Sequence, residues 1–255
     1  MPSAARILFV GDVVGGLGRR TLLALLPGLR SELEPTLVVV NAENAAGGLG
    51  ITPKIADELF EHGVDAITLG NHAFRRREIF PYLDGDRPIV RPANYLGSQP
   101  GRGTAIVESA DGVRLGVLNL SGNLFLDAGR RMFQEAEASV AELEREGVDH
   151  ILVDVHAEAT SEKVGLGWHL DGRVTGVVGT HTHVPTADAR VLPGGTAYIT
   201  DVGMTGPRGG VIGVKKEQAI GSMRTMLPIR FETSEDDPWL NAVLITCSQP
   251  RRADA

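Results

Sequence analysis

Three short segments near the start of the chain decide its fold: ILFVGD at residues 7–12, LVVVNAEN at residues 37–44 and AITLGNH at residues 66–72. Each begins with a continuous apolar run and ends in polar residues. Such runs are typical of strands that are covered on both faces, as in a parallel sheet flanked by helices. Helical patterns lie between the runs, so the first 70 or so residues predict a β-α-β-α-β unit with a mainly parallel sheet.

The same patterns predict most of the remaining elements. Further strands are expected at Val113–Leu118, Ile151–Val155, Val174–Val178 and Ala242–Cys247, with hairpin turns at Asp111-Gly112 and Gly194-Gly195. Helices are expected at Arg19–Arg30, after a Thr52 cap and Pro53 to about His62, and from about Gln134 to Glu146. These elements predict an α/β fold with two packed mixed β-sheets flanked by helices, forming one domain over residues 1–255, with a frayed tail at Arg251–Ala255.

Composition excludes several classes of function. Lys and Arg number 25 against 32 Asp and Glu, a net charge of −7, so a broad basic face for duplex nucleic acid is not expected. Cys247 is the only cysteine, which excludes an intrachain disulfide and a cysteine-based zinc site. No apolar run is long enough to span a bilayer and no signal peptide is recognisable, so we expect a cytoplasmic protein without a membrane partner.

Glycine is unusually frequent: 32 of 255 residues, or about 12.5%, against a usual level of about 7%. Many of these glycines lie in the segments that follow the predicted strands. We expect Gly11, Gly70 and Gly179 to permit tight turns beside a binding site, whereas Gly97 and Gly112 should serve ordinary loops.

Side chains that can bind metal follow five of the predicted strands. They are Asp12, Glu43, Asn44, Asn71, His72, His156, His181 and His183. Because carboxyl ends of parallel strands lie along one edge of a sheet, we expect these side chains to meet there. Residues two apart in an extended chain point to the same side, so His181 and His183 should face one site. Asn71 and His72 are adjacent and should diverge, which leaves one to bind metal and the other to face substrate.

These motifs carry a resemblance to a known family. Asp12 in GDVVG, Gly70-Asn71-His72, the isolated His156 and GTHTH at 179–183 resemble the ordered signature of calcineurin-like binuclear metallophosphoesterases. The longer strings at 41–55, 153–163 and 178–207 resemble its YmdB-type bacterial phosphodiesterase branch. The resemblance runs from about Ile7 to about Phe231. It implies a four-layer αββα sandwich that acts on small phosphate esters, including 2′,3′- and 3′,5′-cyclic AMP.

The resemblance also implies two divalent metal ions, iron or manganese, with zinc as an alternative. One would be held by Asp12, Glu43, Asn44 and His183, and the other by Glu43, Asn71, His156 and His181. Two such ions would lower the pKa of a shared water, and the resulting hydroxide would attack phosphorus. His72 is not used as a ligand and would assist the leaving group as the catalytic residue. Ala73 follows His72 where the superfamily often has an acid, so the group that orients His72 must come from elsewhere.

Several alternatives remain open at this point. The missing acid after His72 also suits a regulatory, nucleotide-sensing protein with a slow or vestigial phosphodiesterase site. A metal-dependent amidohydrolase would use more histidine and less amide ligation, and the glycines after Asp12 lack the spacing of a dinucleotide-binding turn. Asp154 is a candidate to orient His156, but it could equally be a polar residue that only buffers the strand. His62, His150, His169 and Arg75–Arg77 are expected to be packing or surface residues, and the sequence leaves a homo-oligomer open.

Overall fold

A computed structural model of the chain describes residues 4–254. The strands, in chain order, are β1 (Ala5–Val10), β2 (Leu37–Asn41), β3 (Ala66–Thr68), β4 (Ile89–Val90), β5 (Thr104–Glu108), β6 (Arg114–Ser121), β7 (His150–His156), β8 (Gly176–Thr180), β9 (Arg190–Val191), β10 (Ala197–Ile199), β11 (Gly206–Pro207), β12 (Pro238–Trp239) and β13 (Ala242–Cys247). The helices are α1 (Gly15–Leu33), α2 (Pro53–Glu61), α3 (Phe80–Leu83), α4 (Met132–Arg145), α5 (Thr160–Leu170) and α6 (Lys216–Thr225), with a 3-10 turn at Arg77–Ile79.

The strands form two large mixed sheets. The first has the order β13-β1-β2-β3-β4, with β1 to β4 parallel and β13 antiparallel to β1. The second has the order β5-β6-β7-β8-β10-β9, in which β6, β7, β8 and β10 are parallel and the edge strands β5 and β9 run antiparallel. Strands β11 and β12 make a separate small ribbon. The predicted β-α-β-α-β unit and both predicted hairpins are therefore confirmed.

The two sheets pack face to face between two layers of helices. Ile7 and Phe9 of β1 point into the core between the sheets, together with Leu152 of β7. Leu8 and Val10 point the other way, into a core shared with α1 and α2. A third core lies between the second sheet and helices α4 and α5. Both faces of the central strands are thus buried, which is why their sequences are continuously apolar. The predicted four-layer αββα sandwich is confirmed.

Local sequence signals predicted the start of α2 correctly but not the start of α1. Thr52 caps α2 as predicted, since its Oγ1 accepts from the Ile55 amide at 3.3 Å and Pro53 occupies the first position. Helix α1 begins earlier than predicted, at Gly15, and continues through Pro27 to Leu33. Tertiary contacts require glycine inside the first turn of α1, since a Cβ on Gly18 would overlap the Thr205 carbonyl oxygen, and Gly15 opens the helix with a left-handed φ of 64°.

The prediction of a frayed C-terminal tail was wrong. Ala253 is buried, and its amide donates to Gly195 O at 2.8 Å, while the Asp254 amide donates to Thr246 O at 2.7 Å. These backbone hydrogen bonds attach the C-terminal tail to β13 and to the turn between β9 and β10. The single domain was predicted for residues 1–255, of which 1–3 and 255 lie outside the described residues. From residue 4 to residue 254, no helix combines the length and the apolar character that crossing a bilayer requires.

Candidate metal centre

The predicted metal-binding side chains lie at the carboxyl ends of β1, β2, β3, β7 and β8. We expected these ends to share one edge of one sheet. The structure instead divides them between the two sheets, which pack so that the two edges lie side by side. Asp12, Glu43 and Asn71 come from the first sheet, whereas His156 and His181 come from the second. The site therefore lies where the two halves of the sandwich meet.

One group of ligands surrounds the imidazole of His156. Its Nε2 lies 3.0 Å from Glu43 Oε1, 2.9 Å from Asn71 Oδ1 and 3.0 Å from His181 Nδ1. The ligand atoms of Glu43, His156 and His181 all lie within 4.8 Å of one another, which makes them a candidate metal site. The carboxylate, amide and imidazole groups implied for one metal thus converge on a single point.

A second group lies around Asp12 and His183. The Oδ1 of Asp12 lies 3.7 Å from His183 Nε2, and Asn44 Nδ2 lies 3.1 Å from the same nitrogen. Asn44 Nδ2 also lies 3.1 Å from Glu43 Oε1, so Glu43 contacts members of both groups. Glu43 therefore lies between the two groups of side chains.

Buried polar groups behind His156 fix its orientation. His156 Nδ1 lies 2.8 Å from Thr180 Oγ1, which in turn donates to Asp154 Oδ1 at 2.7 Å. Asp154 also accepts from Thr68 at 2.5 Å and from Asn41 at 2.9 Å. Because the Thr180 hydroxyl donates its proton to Asp154, its oxygen can only accept from His156 Nδ1–H. The Nε2 of His156 is therefore the nitrogen that faces the cluster. Asp154 therefore orients His156 indirectly, through the hydroxyl of Thr180.

The loop after β8 presents its two histidines differently from our expectation. Both have left-handed backbones, with φ of 99° at His181 and 67° at His183, so the extended-chain argument for their common side was wrong. Nevertheless both side chains reach the cluster. The left-handed conformation is unusual for a residue with a side chain, and it persists only where surrounding contacts enforce it.

Sequence reasoning missed the residues that enforce this loop conformation. Between the two histidines, Thr182 donates to Asp201 Oδ2 from its amide at 3.1 Å and from its hydroxyl at 2.8 Å. The same oxygen accepts from Lys163 Nζ at 2.7 Å, and Asp201 Oδ1 accepts from the Gly203 amide at 2.8 Å. Lys163 and Asp201 are both 1% exposed. Nothing in the sequence around Lys163 predicts this ion pair, because its partner Asp201 lies 38 positions away.

His72 is oriented by the neighbouring ligand loop. Its Nδ1 lies 2.7 Å from Asn44 Oδ1 and 3.4 Å from Glu43 Oε1, and its amide donates to Glu43 Oε2 at 2.9 Å. Asn71 turns instead toward His156, so the predicted divergence of the two adjacent side chains is confirmed. With Nδ1 held by the amide oxygen, the Nε2 of His72 is the nitrogen left to face the cleft.

The charges of the cluster are strongly coupled. Burial disfavours a charged His156, but Glu43, Asp12 and Asp154 outweigh it and raise the pKa of His156 to about 9. Burial and the neighbouring His156 lower the pKa of His181 to about 3. Burial would raise the pKa of Glu43, yet contacts with His156 and His72 hold it well below its usual range. An anionic Glu43 and a neutral His181 are the forms that bind a metal cation.

The remaining residues that the sequence singled out lie apart from the cluster. His62 is exposed and His150 is buried in β7, while His169 pairs with Glu137 at 3.0 Å. The side chain of Arg76 donates to the carbonyl oxygens of Leu49 and Ala46, so it fastens a loop. Cys247 is buried, and burial raises the pKa of its thiol to about 12, as expected for an inert core cysteine.

The cluster opens into a cleft of about 620 Å³. Glu43, Asn44, His72, His181 and His183 line one side of it. Further lining comes from residues 211–214, from Ala219 and Met223 of α6, and from Phe231 and Thr233 in the irregular segment after α6. The candidate site is therefore accessible to a small molecule, while Asp12 and His156 remain fully buried at its base.

Comparison with known proteins shows the family. A family model described as YmdB-like protein matches residues 8–254. The chain belongs to the YmdB-like family. Over 240 residues it is 48% identical to a protein of Bacillus subtilis (strain 168) named 2′,3′-cyclic-nucleotide 2′-phosphodiesterase, covering 94% of this chain and 90% of that protein. The resemblance seen in the sequence motifs is therefore confirmed.

Solved structures agree with this assignment. A crystal structure described as a novel phosphatase from Mycoplasma pneumoniae matches with a TM-score of 0.89 at 35% identity, covering 100% of this chain and 92% of that one. A hypothetical protein from Thermus thermophilus matches with a TM-score of 0.85 at 37% identity, covering 96% of this chain and all of that one. The fold is thus shared with these two proteins over nearly their whole length.

The side chains of this YmdB-like protein fit divalent metal ions. Asp12 Oδ1 is buried and, within the described residues, has no hydrogen-bond partner. Such an atom is costly to bury unless it binds a cation. His183 Nδ1 lies 2.8 Å from Ile212 O, so Nε2 is left as the ligand atom, just as Thr180 leaves Nε2 of His156. The proposed set of three histidines, two carboxylates and two amides offers the oxygen and nitrogen donors that are typical of divalent iron, manganese or zinc sites.

Proposed function

We propose that this protein is a phosphodiesterase that depends on two divalent metal ions and hydrolyses small phosphodiesters, with cyclic nucleotides as its substrate class. The single observation that carries the proposal is the convergence of two ligand groups, joined by Glu43, beside a histidine that belongs to neither. Asp12, Glu43, Asn44 and His183 would hold one ion. Glu43, Asn71, His156 and His181 would hold the other.

The bound ions would supply the chemistry that the side chains lack, since they acidify water and neutralise charge on the phosphate oxygens. Two divalent ions against Asp12 and Glu43 give the site a charge of about +2 within an acidic protein. An anionic diester is therefore attracted locally even though the overall charge of −7 does not favour it. Iron or manganese are the ions proposed, with zinc as the alternative.

His72 is proposed as the catalytic acid. Its Nδ1–H is held by Asn44 Oδ1 at 2.7 Å, and this bond persists whether or not Nε2 carries a proton. A proton on Nε2 can therefore pass to the leaving oxygen of the diester without rotation of the ring. For a cyclic nucleotide, this transfer converts a ring oxygen into a hydroxyl and leaves a phosphate monoester.

The proposed substrate class rests on the family relative. The Bacillus subtilis protein is named for action on 2′,3′-cyclic nucleotides. We extend this to 2′,3′-cyclic AMP and to 3′,5′-cyclic AMP as substrates to be tested for this chain. A cytoplasmic location belongs to the same proposal.

The test compares His72→Ala with His62→Ala. His62 is an exposed histidine at the end of α2 and provides a matched control. Loss of general-acid catalysis should lower kcat for 2′,3′-cyclic AMP, whose leaving alkoxide needs a proton, by about 10²–10⁴-fold in His72→Ala, with metal content unchanged. His62→Ala should match the wild type. Absence of turnover in the wild type after loading with manganese or iron would contradict the proposed function.

A regulatory nucleotide sensor is the alternative function, but the argument for it is now weaker. That argument was that no acid follows His72 to orient its ring. Asn44 and Glu43 provide that orientation from another loop. The alternative predicts that His72→Ala abolishes turnover while a cellular effect of the protein persists. A matching loss of turnover and cellular effect would favour the catalytic role.

A further inference from the structure

One wall of the catalytic cleft is apolar and carries no role in the chemistry proposed above. It is formed by Val184, Ile212, Met223 and Phe231, which are between 50% and 68% exposed. Soluble proteins rarely leave several large apolar side chains together at the surface unless they bind something. We call these four residues the apolar wall.

The segments that carry Ile212, Met223 and Phe231 of the apolar wall are held together by backbone and side-chain hydrogen bonds. The segments at 211–214 and 231–234 are joined by an isolated bridge between Val214 and Thr233, and the Ser234 amide donates to Gly213 O at 3.0 Å. The side chain of Gln218 in α6 accepts from the Glu232 amide at 2.8 Å. These bonds fasten the segment containing Phe231 to α6 and to the loop that contains Ile212.

Ile212 connects the wall directly to the candidate metal centre. Its carbonyl oxygen lies 2.8 Å from His183 Nδ1, so the same residue orients a proposed ligand and contributes an apolar side chain. Its φ is 44°, in the left-handed region that a β-branched residue rarely adopts. A glycine would fit this backbone with less strain. The apolar side chain is therefore kept at a conformational cost of about 1–3 kcal/mol, which suggests a role in binding.

The charges around the wall restrict what can bind there. Among the described residues that line the cleft there is no Lys or Arg, and the ionisable groups are the histidines, Glu43 and Glu158. Glu158 is 54% exposed and lies 3.3 Å from His181. A second anionic group on the substrate would thus meet no positive partner on this side. Phe and Met side chains favour aromatic rings, by stacking and by sulfur contacts.

We infer that the cleft binds its substrate in two parts, with the phosphodiester at the metal centre and an uncharged aromatic ring of the ester against the apolar wall. A nucleobase or an aryl group meets this requirement, whereas a methyl or a phosphorylated group does not. The inference rests on the proposed function and adds the substrate feature that would set its specificity. Met223 and Phe231 also border an outer apolar depression with Met226 and Leu227. The bond of Ile212 to the proposed ligand His183 nevertheless ties the wall to the metal centre, which favours the substrate as its occupant over a protein partner.

The first experiment measures equilibrium binding without turnover. Phenylphosphonate and methylphosphonate carry the same anionic group and differ in the ring, so calorimetry on the manganese-loaded protein isolates the contribution of the ring. We expect phenylphosphonate to bind about tenfold more tightly, as for a stacked ring. Phe231→Ala and Met223→Ala should remove most of this preference, and both side chains are exposed enough for truncation to leave folding intact.

Met226→Ala is the matched control. Met226 is 87% exposed and ends the same helix, but it does not line the catalytic cleft. It should keep the full preference for the phenyl group. An equal loss in Met223→Ala and Met226→Ala, or no preference in the wild type, would overturn the inference.

The second experiment measures turnover of bis(p-nitrophenyl) phosphate and methyl p-nitrophenyl phosphate, which share a leaving group. In Phe231→Ala we expect the ratio of their kcat/KM values to shift about tenfold toward the methyl ester, mainly through KM. If neither ester is hydrolysed while the phenyl preference in binding holds, the proposed function is wrong but the aromatic-binding role of the apolar wall is supported. If both esters are hydrolysed and the ratio of kcat/KM values is unchanged in Phe231→Ala, the role of the apolar wall is wrong and the proposed function is unaffected. A change in oligomeric mass with unchanged selectivity would assign the surface to a contact between copies of the chain and would also refute it.

Discussion

Lys163 and Asp201 form an ion pair inside the protein, with Nζ and Oδ2 2.7 Å apart and both side chains 1% exposed. The same carboxylate binds the amide and hydroxyl of Thr182. Because Thr182 lies between His181 and His183, the ion pair holds in place the loop that presents both histidines. The pair is therefore a positioning device for the proposed metal centre.

Replacing Lys163 by Met should leave the Asp201 charge buried without a partner. Breaking a buried pair in this way costs about 3–5 kcal/mol in the free energy of unfolding, which urea denaturation can measure. The protein that remains folded should also bind manganese more weakly, because Asp201 no longer holds Thr182 in one position. The exposed pair of Arg208 and Asp237 supplies the control. Arg208→Met should leave stability and metal affinity near wild type, and equal losses in the two variants would contradict a positioning role for Lys163.

The Thr180 hydroxyl should matter because it connects Asp154 to His156. In Thr180→Val the Nδ1–H of His156 loses its acceptor, so the imidazole is no longer fixed with Nε2 toward the metal. Loss of such outer contacts lowers metal affinity by about 10–100-fold. Thr180→Ser keeps the hydroxyl and should remain within about twofold of wild type. Manganese titration by calorimetry distinguishes the variants, and a Thr180→Val protein with unchanged affinity would show that the relay has no function.

Sequence patterns predicted the layers and the cluster because both depend on local signals. Each central strand is buried on two faces, so its apolar run is visible without its neighbours, and the polar residues that end the strands identify the site. Contacts between distant segments left no such signal. Asn44 orients His72 across 28 positions and Lys163 meets Asp201 across 38.

The backbone after β8 could not be predicted either. A His-Thr-His sequence has no intrinsic preference for a left-handed backbone, which the contacts of Thr182 and Gly203 with Asp201 impose here.

Metal binding should strengthen as pH rises, because His156 must lose a proton before Nε2 can bind an ion. Without metal, Glu43, Asp12 and Asp154 outweigh burial and raise the pKa of His156 to about 9, so the ring is protonated at neutral pH. Each unit of pH below that value should weaken the apparent affinity up to about tenfold, and the dependence should level off above it. His181 adds no proton in this range, since burial and His156 lower its pKa to about 3.

The informative window for this prediction lies between about pH 7.5 and 8.5, where an ordinary imidazole is already neutral. Calorimetric titration with manganese in two buffers of different ionisation enthalpy would count the protons released. Release of close to one proton per protein at pH 7.5 is expected. An affinity that stays constant across the window would mean that His156 is neutral before the metal binds.

Substitution of individual glycines should separate the site from ordinary loops. A Cβ on Gly11 would overlap the Gly203 carbonyl oxygen, one on Gly179 the Thr200 carbonyl oxygen, and one on Gly70 the side chains of Glu43 and His156. These atoms are backbone or proposed metal ligands, so they cannot move aside without disturbing the cluster. Gly70→Ala and Gly179→Ala should therefore lose metal and turnover together.

Gly97 is the cleanest control for these glycine variants, because a Cβ there meets nothing within 4 Å and its backbone is not left-handed. Gly97→Ala should keep the metal content and kcat of the wild type. Gly112 also has open space around it, but its φ of 81° makes alanine strained, so Gly112→Ala should lose about 1 kcal/mol of stability without losing metal. Metal analysis paired with thermal unfolding measures both effects. Equal metal loss in the Gly70 and Gly97 variants would mean that the glycine excess reflects loop composition alone, while selective loss at Gly70 ties it to the close approach of backbone and ligands at this site.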